Sequence, residues 1–165
     1  MISEQPEKQK KFSLIHKDEP LAELVGVTEK KILAVWAIDC VERVLPYFEE
    51  KYPYNSCPRN ALTVLRKWVT DGEFHMADIR GASLAAHAAA REVGEDTAAR
   101  SAARAAGQAV ATAHVPTHSL GAANYALQAV WRAANPDEAE AAAARERDWQ
   151  YRHLLLLTGS AEPRN

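Results

Sequence analysis

The sequence predicts an all-α fold: a single compact domain of about six or seven antiparallel helices around an alanine-rich central hairpin, with a curved helical stack as the alternative arrangement. Alanine, the best helix former, accounts for 32 of the 165 residues. Residues typical of helix starts recur near positions 58, 74, 96, 118 and 137, which are 16 to 22 residues apart. This spacing is the length of one helix and a short turn. Glycine is scarce, with seven residues, which argues against a turn-rich β-sandwich or barrel.

Composition divides the chain into three segments. Residues 1–17 are polar and mixed in charge apart from a small apolar island, which predicts a flexible polar arm. Residues 18–159 carry the helical pattern and are predicted to form the all-α domain, and residues 160–165 form a short polar tail. The first residues contain no apolar run of the length that a signal peptide needs. We therefore expect a cytoplasmic protein with reduced thiols.

The first helices are marked by their caps. Asp18 is placed to cap a short helix that Gly26 ends, and Thr28 is placed to cap the first long helix. That long helix carries large apolar residues on several sides, which predicts a central position with several neighbours. Pro46 interrupts the pattern, so either the helix kinks there or a new helix begins with Pro46 in its first turn.

The next three helices include the alanine-rich pair. One helix is predicted from about residue 58 to 70, stopped by Asp71-Gly72. Two more, over about 74–93 and 96–114, contain 15 alanines between residues 82 and 113. Small side chains let helices approach closely and gain many dispersion contacts, so this pair is expected to form a tight antiparallel hairpin.

Two helices complete the predicted domain. Pro116 breaks the chain, and the next helix is predicted to start at Thr117 or His118. The last helix is predicted to start within Asn135-Pro136-Asp137-Glu138, with Asn as the cap and Glu reaching back, and to end near Gly159. Its segment EAEAAAARERD is expected to be a solvated helix face with salt bridges along it.

Charge and apolar runs exclude several classes of function. There are 20 Lys and Arg against 22 Asp and Glu, a net charge of −2, so the strongly basic character of a nucleic-acid binder is missing. The longest purely apolar run is Ile32 to Ile38, seven residues, far below the roughly 20 residues of a membrane span. Cys40 and Cys57 lack the spacing of a zinc site or a disulfide framework. Cys40 itself, on an apolar helix face, is better explained as a small buried hydrophobe than as a nucleophile.

One group of polar candidates lies on the first long helix. Asp39, Glu42 and Arg43 fall within two turns beside Trp36, and either carboxylate could serve as an acid, a base or a partner contact. The simpler interpretation is an ordinary i, i+4 ion pair between Asp39 and Arg43 next to a packed tryptophan.

A second group forms a stripe on the first alanine-rich helix. Arg80, Leu84, His87 and Arg91 recur at spacings of four, three and four residues, which places them on one helix face. The stripe could face an acidic partner, or it could form a structural polar network with the carboxylates Asp39 and Glu42 across a helix interface. A catalytic role is the least favoured of the three.

Histidines suggest a third, weaker possibility. His114 and His118, together with His87, offer three imidazoles, and histidines of neighbouring helices often bind zinc or iron. Pro116 interrupts the helix that would place His114 and His118 on one face, and the glutamate of a zincin motif is absent. The alternative is that these histidines satisfy backbone groups at the turn. None of the serines lies in a nucleophile elbow, and there is no Walker or dinucleotide-binding loop.

Several strings taken together resemble one known family. They are WAIDCVERVLPYFEEKYP at 36–53 followed by CPRNAL, AHAAARE at 86–92, and ARAAGQAVATAHVPTHSLGAANYAL at 103–127. These strings are similar to bacterial immunity proteins of the type-five-like class, which are associated with polymorphic toxin systems. The resemblance covers about residues 30 to 132, and its order along the chain agrees with the predicted helices.

The resemblance implies a non-catalytic cytoplasmic protein that binds and neutralises a cognate toxin by occluding it, with no cofactor, nucleic acid or membrane partner. Many immunity proteins are strongly acidic and so complement basic nucleases, and the near-neutral charge here disfavours a nuclease target. The alternative function is a small metal-dependent enzyme using His87, His114 and His118 with Asp39 or Glu42. The candidate residues for partner binding or a polar network are Trp36, Asp39, Glu42, Arg43, Tyr47, Arg59, Arg80, His87, Arg91, His114, His118 and Tyr125.

Overall fold

The computed structural model describes Phe12 and residues 18–159, and within these residues it contains eight helices and no strand. The predicted all-α class is therefore confirmed. The rest of the predicted arm 1–17 and the tail 160–165 lie outside the described residues. The helices are α1 Glu19–Val27, α2 Lys30–Glu42, α3 Pro46–Glu49, α4 Cys57–Asp71, α5 Met76–Val93, α6 Ala98–Ala111, α7 His118–Ala133 and α8 Ala139–Leu157.

Helix α2 is the centre of the bundle. It contacts α4, α6, α7 and α8, and seven of its thirteen residues are buried. The large apolar residues on several sides of this helix therefore pack against several neighbouring helices, as predicted. In a helical stack each unit contacts only its neighbours in sequence, whereas α2 meets helices far along the chain, so the helices form a bundle and not a curved stack.

Several predicted helix ends are confirmed. The carboxylate of Asp18 accepts a hydrogen bond from the backbone N–H of Leu21 at 3.3 Å and caps α1. Pro46 begins a separate short helix after a turn, which settles the choice between a kink and a new start. Gly72 ends α4 with a φ of 70°, and Gly94 ends α5 with a φ of 72°, a left-handed conformation that only glycine adopts without strain.

Other predicted ends are wrong. Helix α1 continues past Gly26 to Val27, and Thr28 belongs to its end, because the Thr28 hydroxyl donates to the carbonyl of Leu24 at 2.5 Å. A threonine hydroxyl can satisfy the carbonyl four residues back. Helix α2 begins after Glu29, which occupies the N-cap position, so Thr28 lies one residue too early to cap it. Residues 135–138 form a turn closed by the N–H of Glu138 and the carbonyl of Asn135 at 2.9 Å, and α8 starts after it.

The alanine-rich helices form the predicted hairpin, and α7 extends it into a layer. Helix α6 lies between α5 and α7 and also packs on α4, α2 and α3. Nine of its fourteen residues are buried, six of them alanines. Only Ala98, Arg100, Arg104, Gln108 and Ala111 of α6 are partly exposed. Within the described part of the chain, no helix has the length and apolar character needed to cross a bilayer.

Candidate functional site

The structure distributes the twelve predicted residues over three clusters and the open surface. We name the clusters the α2–α8 seam (Asp39, Arg43, Glu146, Trp149, His153), the Arg59 cluster (Glu42, Glu49, Arg59, Arg66) and the α6 seam (His87, Arg91, Arg100, Arg104, Gln108, His118, Tyr125, Arg132). Trp36 is buried behind the first of these, while Tyr47, Arg80 and His114 are exposed outside all three.

The α2–α8 seam replaces the expected ion pair between Asp39 and Arg43. The guanidinium of Arg43 makes a forked contact with Glu146, at 2.6 Å from Nε and 3.0 Å from Nη2, and Asp39 meets His153 at 2.7 Å. Glu146 is only 7% exposed, and a buried carboxylate needs a charged or hydrogen-bonding partner. The Arg43 prediction is therefore wrong because a helix more than 100 residues away supplies the stronger partner.

Aromatic stacking completes this seam. The Trp149 ring lies 3.9 Å from the guanidinium carbon of Arg43 and stacks on the His153 imidazole with ring centroids 4.7 Å apart. Cation–π contacts of this kind add to the ion pair. The prediction of a solvated face over EAEAAAARERD is correspondingly wrong for Glu146 and for Arg147, whose side chain is 16% exposed.

Behind the seam, hydrogen bonds join three helices. Trp36 is fully buried, and its indole N–H donates to the backbone carbonyl of Gln150 at 2.9 Å. The Gln150 amide donates to the carbonyl of Ala123, and Arg147 donates to Gln150 and to Asn124. Every one of these groups is committed to another helix, so Trp36 has a structural role.

The Arg59 cluster ties α2, α3 and α4 together. Glu42 accepts hydrogen bonds from Arg59 and from Arg66, and Arg59 also meets both carboxylate oxygens of Glu49. Burial acts to raise the pKa of Glu42, but the two guanidinium groups outweigh it, and the pKa lies below its ordinary value. Two carboxylates against two guanidiniums balance in charge, which is typical of a structural network.

The α6 seam is built on close helix approach. A Cβ added at Gly107 of α6 would lie 2.7 Å from Nε2 of His87, and one added at Gly121 of α7 would lie 2.8 Å from Oε1 of Gln108. Each glycine therefore leaves the space that a polar side chain of the neighbouring helix occupies. The same Gln108 oxygen accepts from Nδ1 of His118 at 2.8 Å. Side chains from three consecutive helices are thus held against one another.

Positive charge accumulates along the α6 seam. Burial lowers the pKa of His87, and the charges of Arg104, Arg91 and His118 lower it further. Burial also lowers the pKa of Arg132, and Arg104 and Arg100 add to this effect while Asp96 opposes it. Asp96 lies 3.1 Å from Arg100 and 3.8 Å from Arg132. Among the described residues it is the one carboxylate that acts on the pKa of either His87 or Arg132.

Half of this seam was predicted from the sequence. His87, Arg91, His118 and Tyr125 were candidates there, whereas Arg100, Arg104, Gln108 and Arg132 were not. The i, i+4 spacing of 100, 104 and 108 was present in the sequence and places these residues on one helix face. This spacing does not distinguish a binding surface from an ordinary exposed helix face. The distinction needs the packing of α5 and α7 on both sides of α6.

Other candidates have different surroundings. His114 is exposed with its ring centroid 6.1 Å from that of Phe74, and within the described residues no three His, Cys, Asp or Glu side chains converge as metal ligands. The arrangement of His87, His114 and His118 required by the metal-enzyme hypothesis is therefore not found there. Cys40 is fully buried, and burial raises the pKa of its thiol, as expected for a buried hydrophobe. The hydroxyls of Ser83 and Ser119 donate to backbone carbonyls.

The fold and these clusters define a small all-α domain that carries a strongly positive seam on one helical layer. The chain belongs to the family described as "Imm-5 like putative immunity protein", whose model matches residues 23–156. Comparison with the curated proteins and with the solved structures finds no match in either. The predicted family resemblance is confirmed, and the matched span includes all twelve predicted residues.

Proposed function

We propose that this protein neutralises a cognate bacterial toxin of a polymorphic toxin system by binding it and occluding its active site, in the cytoplasm and without chemistry of its own. Membership of an immunity-protein family over residues 23–156 carries the proposal. Such families imply a toxin partner, and binding alone is enough to block a toxin whose active site is covered.

The packing of the domain supports inhibition by a preformed surface. The central α2 and the alanine-rich α6 are buried against several helices, and interhelical ion pairs and hydrogen bonds join distant parts of the chain. A surface that is already ordered loses little conformational entropy when it binds. A charged seam on it would also speed capture by electrostatic steering.

Co-expression with the toxin tests this function. A toxin-like protein recovered on the tagged protein from its native cells would be expressed in a sensitive host, alone and together with this protein. We expect growth to be restored only in the second case, together with a complex that survives gel filtration. Purified toxin should lose its activity on stoichiometric addition. A toxin that remains active within a stable complex would contradict occlusion, and failure of every recovered candidate to be neutralised would contradict the immunity function.

A further inference from the structure

The α6 seam holds more positive charge than its surroundings neutralise. Arg91, Arg100, Arg104 and Arg132 lie on three adjacent helices, while Asp96 is the one carboxylate paired with any of them among the described residues. The chain as a whole has a net charge of −2. The excess is therefore a local arrangement, and the composition of the chain does not explain it.

Several arginines outside the α6 seam are paired with carboxylates. Arg43, Arg59 and Arg66 each contact a glutamate of another helix or segment at 3.0 Å or less. In contrast, neither Arg91 nor Arg104 has a carboxylate oxygen within 4.0 Å in the described part of the chain, and the nearest aromatic contact of Arg104 is the Tyr125 ring at 6.0 Å. Clustered like charges destabilise a folded protein, and such local costs concentrate at binding sites.

We infer that the α6 seam is the face that binds the toxin, and that it receives an acidic segment rich in aspartate or glutamate. The inference rests on the proposed function and adds the surface and the chemistry of the partner. Arginine presents a planar fork that matches a carboxylate with two hydrogen bonds. Arginine and tyrosine are also enriched among the residues that dominate binding energy at protein interfaces, and Tyr125 lies beside Arg104.

The seam fits carboxylates of a protein better than a nucleic-acid backbone. The side chains of Arg100 and Arg132 are only 20% and 17% exposed, so they are held in place and cannot extend to follow a line of phosphates. A nucleic-acid site relies on many freely accessible cations. The exposed Glu92 and Glu95 follow Arg91 in sequence, so negative charge interrupts the positive surface there, which suits a short acidic segment better than a long polyanion.

Charge reversal tests the surface with the purified toxin and purified variants of this protein. Arg104→Glu should slow association with the toxin by about tenfold or more at low salt, with a smaller effect at high salt, because steering charges act mainly on the association rate. Arg104→Lys, which keeps the charge and loses the fork, should have an intermediate effect. Lys67→Glu, an exposed cation on α4, is the matched control and should bind as the wild type does. A melting temperature at or above that of the wild type would show that each variant is folded.

A probe separates failure of the inference from failure of the proposed function. Labelled hexaglutamate, hexaglutamine and a single-stranded DNA of equal charge would be titrated into the whole protein while the His87 and His118 ring resonances are followed. We expect hexaglutamate alone to shift both, and Arg104→Glu to abolish the shift. Equal binding of hexaglutamate by the variant, or binding of DNA alone, would overturn the inference. Association of Arg104→Glu with the toxin at the wild-type rate would overturn it as well and leave the immunity function standing. Seam-dependent hexaglutamate binding without neutralisation of any toxin would contradict only the immunity function.

Discussion

Replacing Gly107 with alanine tests whether the α6 seam depends on the space above this residue. The added Cβ would lie 2.7, 2.8 and 2.9 Å from three atoms of the His87 ring, whereas ordinary contact begins near 3.4 Å. The imidazole would have to move by about 0.7 Å or leave the surface of α6, and such overpacking costs about 1–3 kcal/mol. Alanine inside a helix is favoured over glycine by about 1 kcal/mol. The net effect in the wild type is therefore a loss of stability between zero and about 2 kcal/mol.

A second background makes the prediction sharp. In a His87→Ala protein the obstacle is gone, so Gly107→Ala should raise the free energy of unfolding by about 1 kcal/mol. The two effects differ in sign or nearly so, and a double-mutant cycle measures their difference as a coupling of about 1–3 kcal/mol. Urea denaturation followed by far-UV circular dichroism gives all four free energies of unfolding.

Equal stabilisation by Gly107→Ala in both backgrounds would refute the reasoning, because it would mean that the imidazole does not occupy this space. Gly121→Ala is a useful comparison. Its Cβ would meet the end of the flexible Gln108 side chain at 2.8 Å, which can turn away more easily than a ring. We expect a smaller loss of stability there, together with weakening of the hydrogen bond between Gln108 and His118.

Three further predictions concern charged groups. Glu146→Gln should lower the free energy of unfolding by about 1–2 kcal/mol, since Arg43 loses its forked partner. The control Asp148→Asn, in an exposed i, i+4 pair, should change it by less than about 0.5 kcal/mol. Urea denaturation measures both, and equal effects would contradict a stabilising role of the α2–α8 seam. The pKa of His87 is lowered in the folded protein, so protonation favours unfolding. The free energy of unfolding therefore decreases as the pH falls below the ordinary value of 6.5. His87→Gln, which has no imidazole to protonate, should lose less of its free energy of unfolding than the wild type between about pH 8 and 5.5. The pKa of Glu42 is also lowered, and for a carboxylate this stabilises the fold above the ordinary value of 4.5. The stabilisation disappears as the pH falls through the pKa of the folded state. Glu42→Gln should therefore have a lower melting temperature than the wild type at neutral pH and a similar one in acid.

The sequence predicted the helices better than their partners. Prolines and glycines fix the chain locally, so the start of α3 at Pro46 and the ends at Gly72 and Gly94 could be predicted. The position of Thr28 could not be predicted, because its hydroxyl donates to the helix before it and α2 begins only after Glu29. Residue type alone does not determine whether a threonine closes the preceding helix or caps the following one.

The clusters were less predictable because they depend on helix pairing. Asp39 and Arg43 are neighbours on one helix, yet each contacts a residue of α8. Only the antiparallel packing of α2 and α8 brings Glu146 within hydrogen-bonding distance of Arg43. Arg100, Arg104 and Arg132 look like ordinary surface cations until α5 and α7 enclose α6. A single sequence carries the spacing along each helix, but it does not state which helix lies alongside.

The near-complete burial of α6 limits how this domain can diversify. Nine of its fourteen positions are filled by packed small residues, where a larger side chain would force neighbouring helices apart. Only Ala98, Arg100, Arg104, Gln108 and Ala111 lie outside this tightly packed set. With the α6 seam as the binding face that we infer, selection for a new specificity would act on a few positions spaced one turn apart, and a combinatorial library confined to them would leave the packed core unchanged.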